Sequence, residues 1–101
     1  MSRGEVWWVG ADGAQRPYLV LTRQVAIPIL HSVLAVPTTR TVRGIPTEVE
    51  LDQSDGMPEP CALSLDNTTL IPKDYFVERI CTLGPERLEQ VCAALRDAVD
   101  C

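Results

Sequence analysis

One arginine and two threonines stand at predicted strand ends, where their side chains could act together on a phosphate. Arg16 precedes an apolar strand predicted over residues 18–22, and Thr38 and Thr39 follow a longer one predicted over residues 29–36. If these strands are neighbours, a guanidinium with forked donors and one or two hydroxyls converge on one phosphate group. A solvated arginine and an ordinary turn explain the same residues equally well, so spacing alone leaves both interpretations open.

Other kinds of catalytic centre find little support in the sequence. His31 is the only histidine and falls within a predicted apolar strand, and the four cysteines lie 20, 11 and 9 residues apart, unlike the ligands of a zinc site. The chain contains no phosphate-binding loop motif and no nucleophile-elbow motif. We therefore expect neither a metal ion nor a cofactor.

The length and composition are those of one globular domain that spans residues 1–101, with 46% hydrophobic and 23% charged residues. No apolar stretch approaches the roughly 18 residues of a membrane helix, and the first residues lack the apolar segment of a leader peptide. We expect a cytoplasmic protein that contacts no membrane, with its cysteines as thiols.

Charge is distributed unevenly along the chain. Residues 1–47 carry five arginines and two acidic residues, for a net charge of +3, whereas residues 48–101 carry four basic and twelve acidic residues, for a net charge of −8. A basic half can face a polyanion while an acidic half faces solvent or a partner. Charge alone favours the simpler interpretation, in which acidic loops keep the protein in solution.

Short apolar segments predict a protein made mostly of β-strands. The predicted strands cover residues 5–9, 18–22, 29–36, 47–51, 61–65 and 76–81. Turn residues predict loops over residues 10–15 and 52–60, Pro37 ends the third strand, and residues 71–74 are typical of a short helical turn. Within the first strand, Trp7 and Trp8 should point to opposite faces.

One helix is predicted at the end of the chain. Pro85 suits its first turn, and Thr82 or Gly84 could cap it. Its apolar stripe consists of Leu88, Val91, Cys92, Leu95 and Val99. The predicted fold class is therefore mainly β with a C-terminal helix (α+β), in which the helix packs on a coiled, barrel-like sheet.

Four segments, in order along the chain, resemble the motifs of the MazF/PemK (MazF–Kid type) toxin family. The family's R-G-[DE]-[IV]-[WY] start resembles Arg3-Gly4-Glu5-Val6-Trp7, and its R-P-x-[LV]-[VI]-[LI] motif resembles Arg16-Pro17-Tyr18-Leu19-Val20-Leu21. Its V-P-x-T-T motif, followed by P-x-x-[VI], resembles Val36-Pro37-Thr38-Thr39 with Pro46-Thr47-Glu48-Val49. Its acid–Gln pair after a strand resembles Leu65-Asp66-Asn67. Each motif is weak by itself, but four in register are fairly specific.

This resemblance implies a small SH3-like barrel of the CcdB–MazF type that acts as a homodimer. It also implies a metal-independent, sequence-specific endoribonuclease toxin of a type II toxin–antitoxin system. The substrate would be single-stranded RNA, and a cognate antitoxin would inhibit the enzyme by binding over the RNA groove.

Carried over residue by residue, the resemblance makes Arg16 the catalytic arginine and either Thr38 or Thr39 the catalytic threonine. Asp66 takes the place of a functional acid, and Asn67 stands where the family usually has Gln. Three further arginines would line the RNA path and contact phosphates, namely Arg23, Arg40 and Arg43.

The expected reaction uses the RNA's own 2′-hydroxyl, which attacks the adjacent phosphorus and leaves a 2′,3′-cyclic phosphate and a 5′-hydroxyl. Arg16 would stabilise the charge on the phosphoryl oxygens and Thr38 would bond the phosphate. Asp66 or His31 could be the general base. Two alternatives stay open: a CcdB-like toxin that binds DNA gyrase, and an inactive relative that binds an antitoxin.

Overall fold

Seven strands and one helix make up residues 1–11 and 14–99, the part of the chain that the computed structural model describes. The strands are β1 (Glu5–Ala11), β2 (Ala14–Val20), β3 (Ser32–Thr39), β4 (Glu48–Leu51), β5 (Cys61–Ser64), β6 (Thr69–Pro72) and β7 (Phe76–Thr82), and the helix is α1 (Pro85–Val99). Short 3₁₀ turns lie at Gln24–Ala26, Gln53–Asp55, Leu65–Asn67 and Lys73–Tyr75.

The strands form one antiparallel sheet in the order β4–β5–β3–β2–β1–β7, with β6 also paired to β3. β3 changes its neighbour along its length: Ser32 to Ala35 pair with β6, whereas Thr38 and Thr39 pair with β5. This change bends the sheet around the core. The mainly β fold with a C-terminal helix is confirmed, although among the described residues β4 and β7 do not pair, so the barrel is open.

The β1–β2 hairpin is longer than the sequence predicted. Instead of a loop over residues 10–15 and an arginine that opens a strand, the pairing continues to Ala11 and Ala14, and Arg16 lies opposite Val9 within β2. Residues 12 and 13, the centre of the predicted loop, lie outside the described residues. Gly10 permits the close pairing, since a Cβ there would overlap the carbonyl oxygen of Ala14 and its φ is +154°.

The predicted bounds of β3 were wrong. The strand runs from Ser32 through Pro37 to Thr39 rather than over residues 29–36. Pro37 does not end it. At Pro37, β3 no longer pairs with β6 and does not yet pair with β5. The hydrogen-bond ladder on that side of β3 is interrupted there, so the missing N–H of a proline is tolerated. His31 is exposed just before the strand, not within it. The sequence also missed β6, where only a helical turn was expected.

The main core lies between the bent sheet and α1. Leu88, Val91, Ala94, Leu95 and Ala98 of the helix pack on buried sheet residues that include Val6, Leu19, Val36, Leu51 and Leu63. The helix begins after Gly84, whose carbonyl oxygen accepts from the Leu88 N–H at 3.1 Å. The buried face is turned slightly from the predicted stripe, since Cys92 is half-buried and Val99 is exposed. No helix in the described part of the chain has the length and apolar character needed to span a membrane.

Candidate functional site

A groove of about 370 Å³ opens beside the β1–β2 hairpin and the end of β3. We call it the polar groove. Residues 57–61, which lead into β5, form its opposite wall. The residues that give it its chemistry are Arg16, Thr38, Thr39, Arg40, Glu59 and Cys61. The two elements that the sequence analysis singled out, the arginine and the threonine pair, therefore line the same groove.

Arg16 is exposed and also borders a second groove, of about 460 Å³, on the other side of the hairpin. We call this the tyrosine groove, after Tyr18 and Tyr75 in its lining. Side chains alternate along a strand, so Arg16 leaves β2 on the same face as Tyr18, while Pro17 faces the polar groove. The arginine consequently lies on the ridge between the two grooves.

Thr38 and Thr39 have different hydrogen bonds. Thr38 is only 6% exposed, and its hydroxyl donates to the carbonyl oxygen of Pro17 at 3.2 Å. Thr39 is half-buried, and its hydroxyl oxygen accepts from the Thr41 N–H at 3.1 Å. Among the described residues, no acceptor takes the Thr39 hydroxyl proton. Thr39 can therefore donate to a group in the groove, whereas the proton of Thr38 is already engaged.

Arg40 and Glu59 face each other within the polar groove, with the guanidinium 2.6 Å from the carboxylate. Glu59 lies between Pro58 and Pro60, which restrict its backbone. Its segment is anchored by buried Met57. The sequence predicted only a loop over this stretch and did not indicate the carboxylate. The Pro-Glu-Pro pattern was a weak signal of a rigidly held acid.

Arg43 is held by Glu48 rather than by the groove. The Glu48 side chain is 2% exposed and accepts from the backbone N–H groups of Arg43 and Gly44, at 2.8 and 3.2 Å. Its second oxygen lies 3.5 Å from the Arg43 guanidinium. These contacts fix the connection between β3 and β4, which begins with Arg40, but they leave Arg43 outside the lining of either groove.

The remaining predicted site residues lie elsewhere in the subunit. Arg23 lies beyond the far end of β2, three residues after Val20, and borders neither groove. Asp66 accepts from the Thr47 hydroxyl at 2.6 Å, and Asn67 donates to the Ser64 hydroxyl at 2.8 Å. Neither these residues nor His31 lines the polar groove. Asp66 and His31 are thus poorly positioned as bases within one subunit.

Cys61 lines the polar groove, but its thiol is a weak nucleophile. Burial raises the pKa of the Cys61 thiol, and the negative charge of nearby Glu59 raises it further. A thiol whose pKa is above its ordinary value stays protonated at neutral pH, and only the thiolate attacks efficiently. Within residues 1–11 and 14–99, the His, Cys, Asp and Glu side chains form no group of three that could hold a metal ion.

Sequence comparison finds similar proteins over nearly the whole chain. Residues 2–99 match the family model described as PemK-like, MazF-like toxin of type II toxin–antitoxin system. The chain is 38% identical to "Probable endoribonuclease MazF2" of Mycobacterium tuberculosis over the whole of both chains. It is 41% identical to "Probable endoribonuclease MazF5" of the same organism, over 99% of this chain and 94% of the relative.

Solved structures give the same relationship. "Mycobacterium tuberculosis toxin MazF-mt6" aligns with a TM-score of 0.87 and 35% identity, over 95% of this chain and 96% of that one. "Endoribonuclease in complex with its cognate antitoxin from Mycobacterial species" aligns with a TM-score of 0.89 and 25% identity, over 99% of this chain and 95% of that one. The resemblance seen in the sequence motifs is confirmed, and the chain belongs to the PemK-like, MazF-like toxins of type II toxin–antitoxin systems.

Proposed function

We propose that this MazF-type endoribonuclease toxin cleaves single-stranded RNA in the polar groove, using the 2′-hydroxyl of the RNA and no metal ion. The observation that carries the proposal is the common groove of Arg16, Thr38 and Thr39. A phosphate there would meet a fixed positive charge and a hydroxyl donor at the same time.

In this reaction the 2′-oxygen forms a bond to the adjacent phosphorus and the bond from phosphorus to the 5′-oxygen breaks. The 2′-hydroxyl loses one proton and the leaving 5′-oxygen gains one, which gives a 2′,3′-cyclic phosphate and a 5′-hydroxyl. The phosphoryl oxygens carry additional negative charge in the transition state. Arg16 stabilises that charge, and the strand pairing opposite Val9 places its backbone beside the polar groove.

The two threonines have separate roles. Thr38 positions the site, because its bond to Pro17 ties the end of β3 to the residue after Arg16. Thr39 donates its hydroxyl proton to a phosphate oxygen. This division follows from which hydroxyl proton is already engaged, and it makes Thr39 the catalytic threonine.

Glu59 is the proposed general base. Among the described residues that line the polar groove it supplies the one carboxylate, and its partner Arg40 is a residue that an RNA phosphate can also bind. When a phosphate engages Arg40, the Glu59 carboxylate becomes free to accept the proton of the 2′-hydroxyl. The other predicted site residues border neither groove and contact RNA, in this proposal, away from the scissile phosphate; they are Arg23, Arg43, Asp66 and Asn67.

Two protein partners belong to the proposal. A cognate antitoxin is supported by the mycobacterial endoribonuclease whose structure includes one. A second copy of the chain is supported by exposed apolar side chains that border neither groove, such as Ile29 and Leu34. RNA and such an antitoxin are both found in the cytoplasm, which is the proposed location.

The test is to incubate the purified protein with mixed cellular RNA in the presence of a chelator and to sequence the 5′ ends of the fragments. The expected ends carry 5′-hydroxyls and share a short sequence motif. An oligonucleotide with a 2′-O-methyl at the scissile nucleotide should stay intact. Cleavage of that oligonucleotide contradicts the 2′-hydroxyl route, whereas a folded protein that cleaves no RNA and instead binds gyrase or only an antitoxin contradicts the proposed activity itself.

A further inference from the structure

We propose that the tyrosine groove binds the base of one of the two nucleosides that flank the scissile phosphate, by stacking and without selecting its identity. The inference rests on the proposed function, because it takes Arg16 as the residue that holds that phosphate. It adds a nucleobase subsite on the side of the hairpin that faces away from the threonines.

The position of Arg16 sets the direction of the RNA. This side chain borders both grooves, so a phosphate bound by Arg16 and Thr39 lies at the edge of the polar groove that is nearest to the tyrosine groove. A phosphodiester joins two nucleosides, and each must continue to one side of the phosphate. One nucleoside therefore enters the polar groove, and the other enters the tyrosine groove.

The lining of the tyrosine groove suits an aromatic base. Tyr18 lies two residues after Arg16 on the same face of β2, and Tyr75 ends the 3₁₀ turn after β6 with half of its surface exposed. Leu70 of β6 is 64% exposed beside them. At about 460 Å³, the groove has the size of a typical small-molecule site.

The charge of the same lining suits a nucleic acid. Among the described residues that border the tyrosine groove, Arg16 is the only charged one, and no carboxylate repels the RNA backbone there. Aromatic side chains beside a positive charge are the usual means of holding single-stranded nucleic acid. Such stacking tolerates any base, because every base has a flat π face. Sequence selection would then come from the polar groove, whose side chains can form hydrogen bonds.

The test measures binding of short RNAs that contain the cleaved motif and carry a 2′-deoxy sugar at the scissile nucleotide, so that they are bound but not cut. The base is removed in turn from each nucleotide that flanks the scissile phosphate. For the wild-type protein, one of the two removals should weaken binding about 5- to 100-fold, the range expected for loss of one stacked base. Exchanging that base for any of the other three should change binding less than about 3-fold.

Variants then test whether this loss of RNA binding arises in the tyrosine groove. Tyr75→Leu should weaken binding of the intact RNA and abolish the further loss on base removal, whereas Tyr75→Phe, which keeps the ring, should preserve that loss. Val25→Ser removes an exposed apolar side chain that borders neither groove and serves as the matched control. Since Tyr75 is half exposed at the surface, its replacement should leave the fold intact.

Two results would overturn the inference while the proposed function stands. In the first, the wild-type protein cleaves RNA but neither base removal weakens binding. In the second, base removal costs the same in Tyr75→Leu as in the wild type, and the variant instead shifts the monomer–dimer equilibrium, in which case a second copy of the chain covers the groove. Absence of RNA cleavage by the wild type is a separate result that contradicts the proposed function.

Discussion

The hydroxyl of Thr38 donates a hydrogen bond to the carbonyl oxygen of Pro17, 3.2 Å away. The regular pairing of β2 with β3 ends at Tyr18 and Pro37, so this side chain extends the contact between the strands by one further position, towards Arg16. The backbone segments that carry Arg16 and Thr39 are thereby joined by a side-chain contact between two strands.

The two threonines should respond differently to the loss of their hydroxyls. Thr38→Val should lower the free energy of unfolding by about 1–2 kcal/mol, because the partly buried Pro17 carbonyl loses its partner. Thr39→Val should leave stability within about 0.5 kcal/mol but slow cleavage by roughly 10-fold or more, and Thr39→Ser should restore the rate. Urea unfolding and single-turnover cleavage measure the two effects. The reverse pattern would make Thr38 the catalytic threonine.

Arg16→Ala should slow single-turnover RNA cleavage by about 10²–10³, because the charge that develops on the phosphate loses its main stabilising donor. Stability should stay within about 0.5 kcal/mol, since the side chain is exposed. Arg16→Lys should recover only part of the rate, because an ammonium lacks the forked donors. Near-normal cleavage by Arg16→Ala would remove this residue from the mechanism.

Glu59→Gln should slow single-turnover cleavage by about 10²-fold at neutral pH, since a carboxamide cannot accept the proton. Binding of uncleavable RNA should stay the same or become tighter, because the variant loses a negative charge beside a polyanion. Glu50→Gln, which neutralises an exposed carboxylate on β4 outside both grooves, is the control. A wild-type cleavage rate for Glu59→Gln would exclude Glu59 as the base.

Gly10→Ala should destabilise the hairpin that carries Arg16, because the added Cβ meets the Ala14 carbonyl in a backbone conformation that favours glycine. The expected loss in the free energy of unfolding is about 1–3 kcal/mol. Gly44→Ala is a matched control, since Gly44 also has a positive φ, +68°, but its Cβ would meet nothing within 4 Å. It should cost about 1 kcal/mol. If Gly10→Ala and Gly44→Ala lost the same free energy of unfolding, the clash at Gly10 would have been relieved by backbone movement.

Stability should fall in acid partly through Glu5. Burial of Glu5 opposes ionisation, but hydrogen bonds from the Trp7 ring, the Ser2 N–H and Arg79 outweigh it and lower the pKa of Glu5 below 4.5. A carboxyl whose pKa is lower in the folded state stabilises the fold above its unfolded pKa, and this contribution disappears as the pH falls through the folded value. Urea unfolding at pH 7 and pH 3 should show a smaller acid loss for Glu5→Gln than for Glu78→Gln or the wild type.

The sequence predicted the family, the mainly β class and the C-terminal helix. It also singled out Arg16 and two threonines as residues that could lie in one site. These features depend on local patterns: short runs of branched residues, a helical apolar stripe, and motifs that occur in a fixed order. The strand ends were less accurate, as at β3, because Ile29 and Leu30 are as apolar as strand residues. Their backbone N–H groups instead donate to the Ala26 carbonyl oxygen within a turn.

The tertiary structure alone decided what lies around Arg16. Glu59 enters the polar groove from a loop more than forty residues along the chain, and Tyr75 enters the tyrosine groove from a 3₁₀ turn after a strand that the sequence did not reveal. The choice between Thr38 and Thr39 likewise depends on the Pro17 carbonyl, 21 residues away in sequence. Local composition specifies which strands can form, but long-range pairing determines which side chains meet.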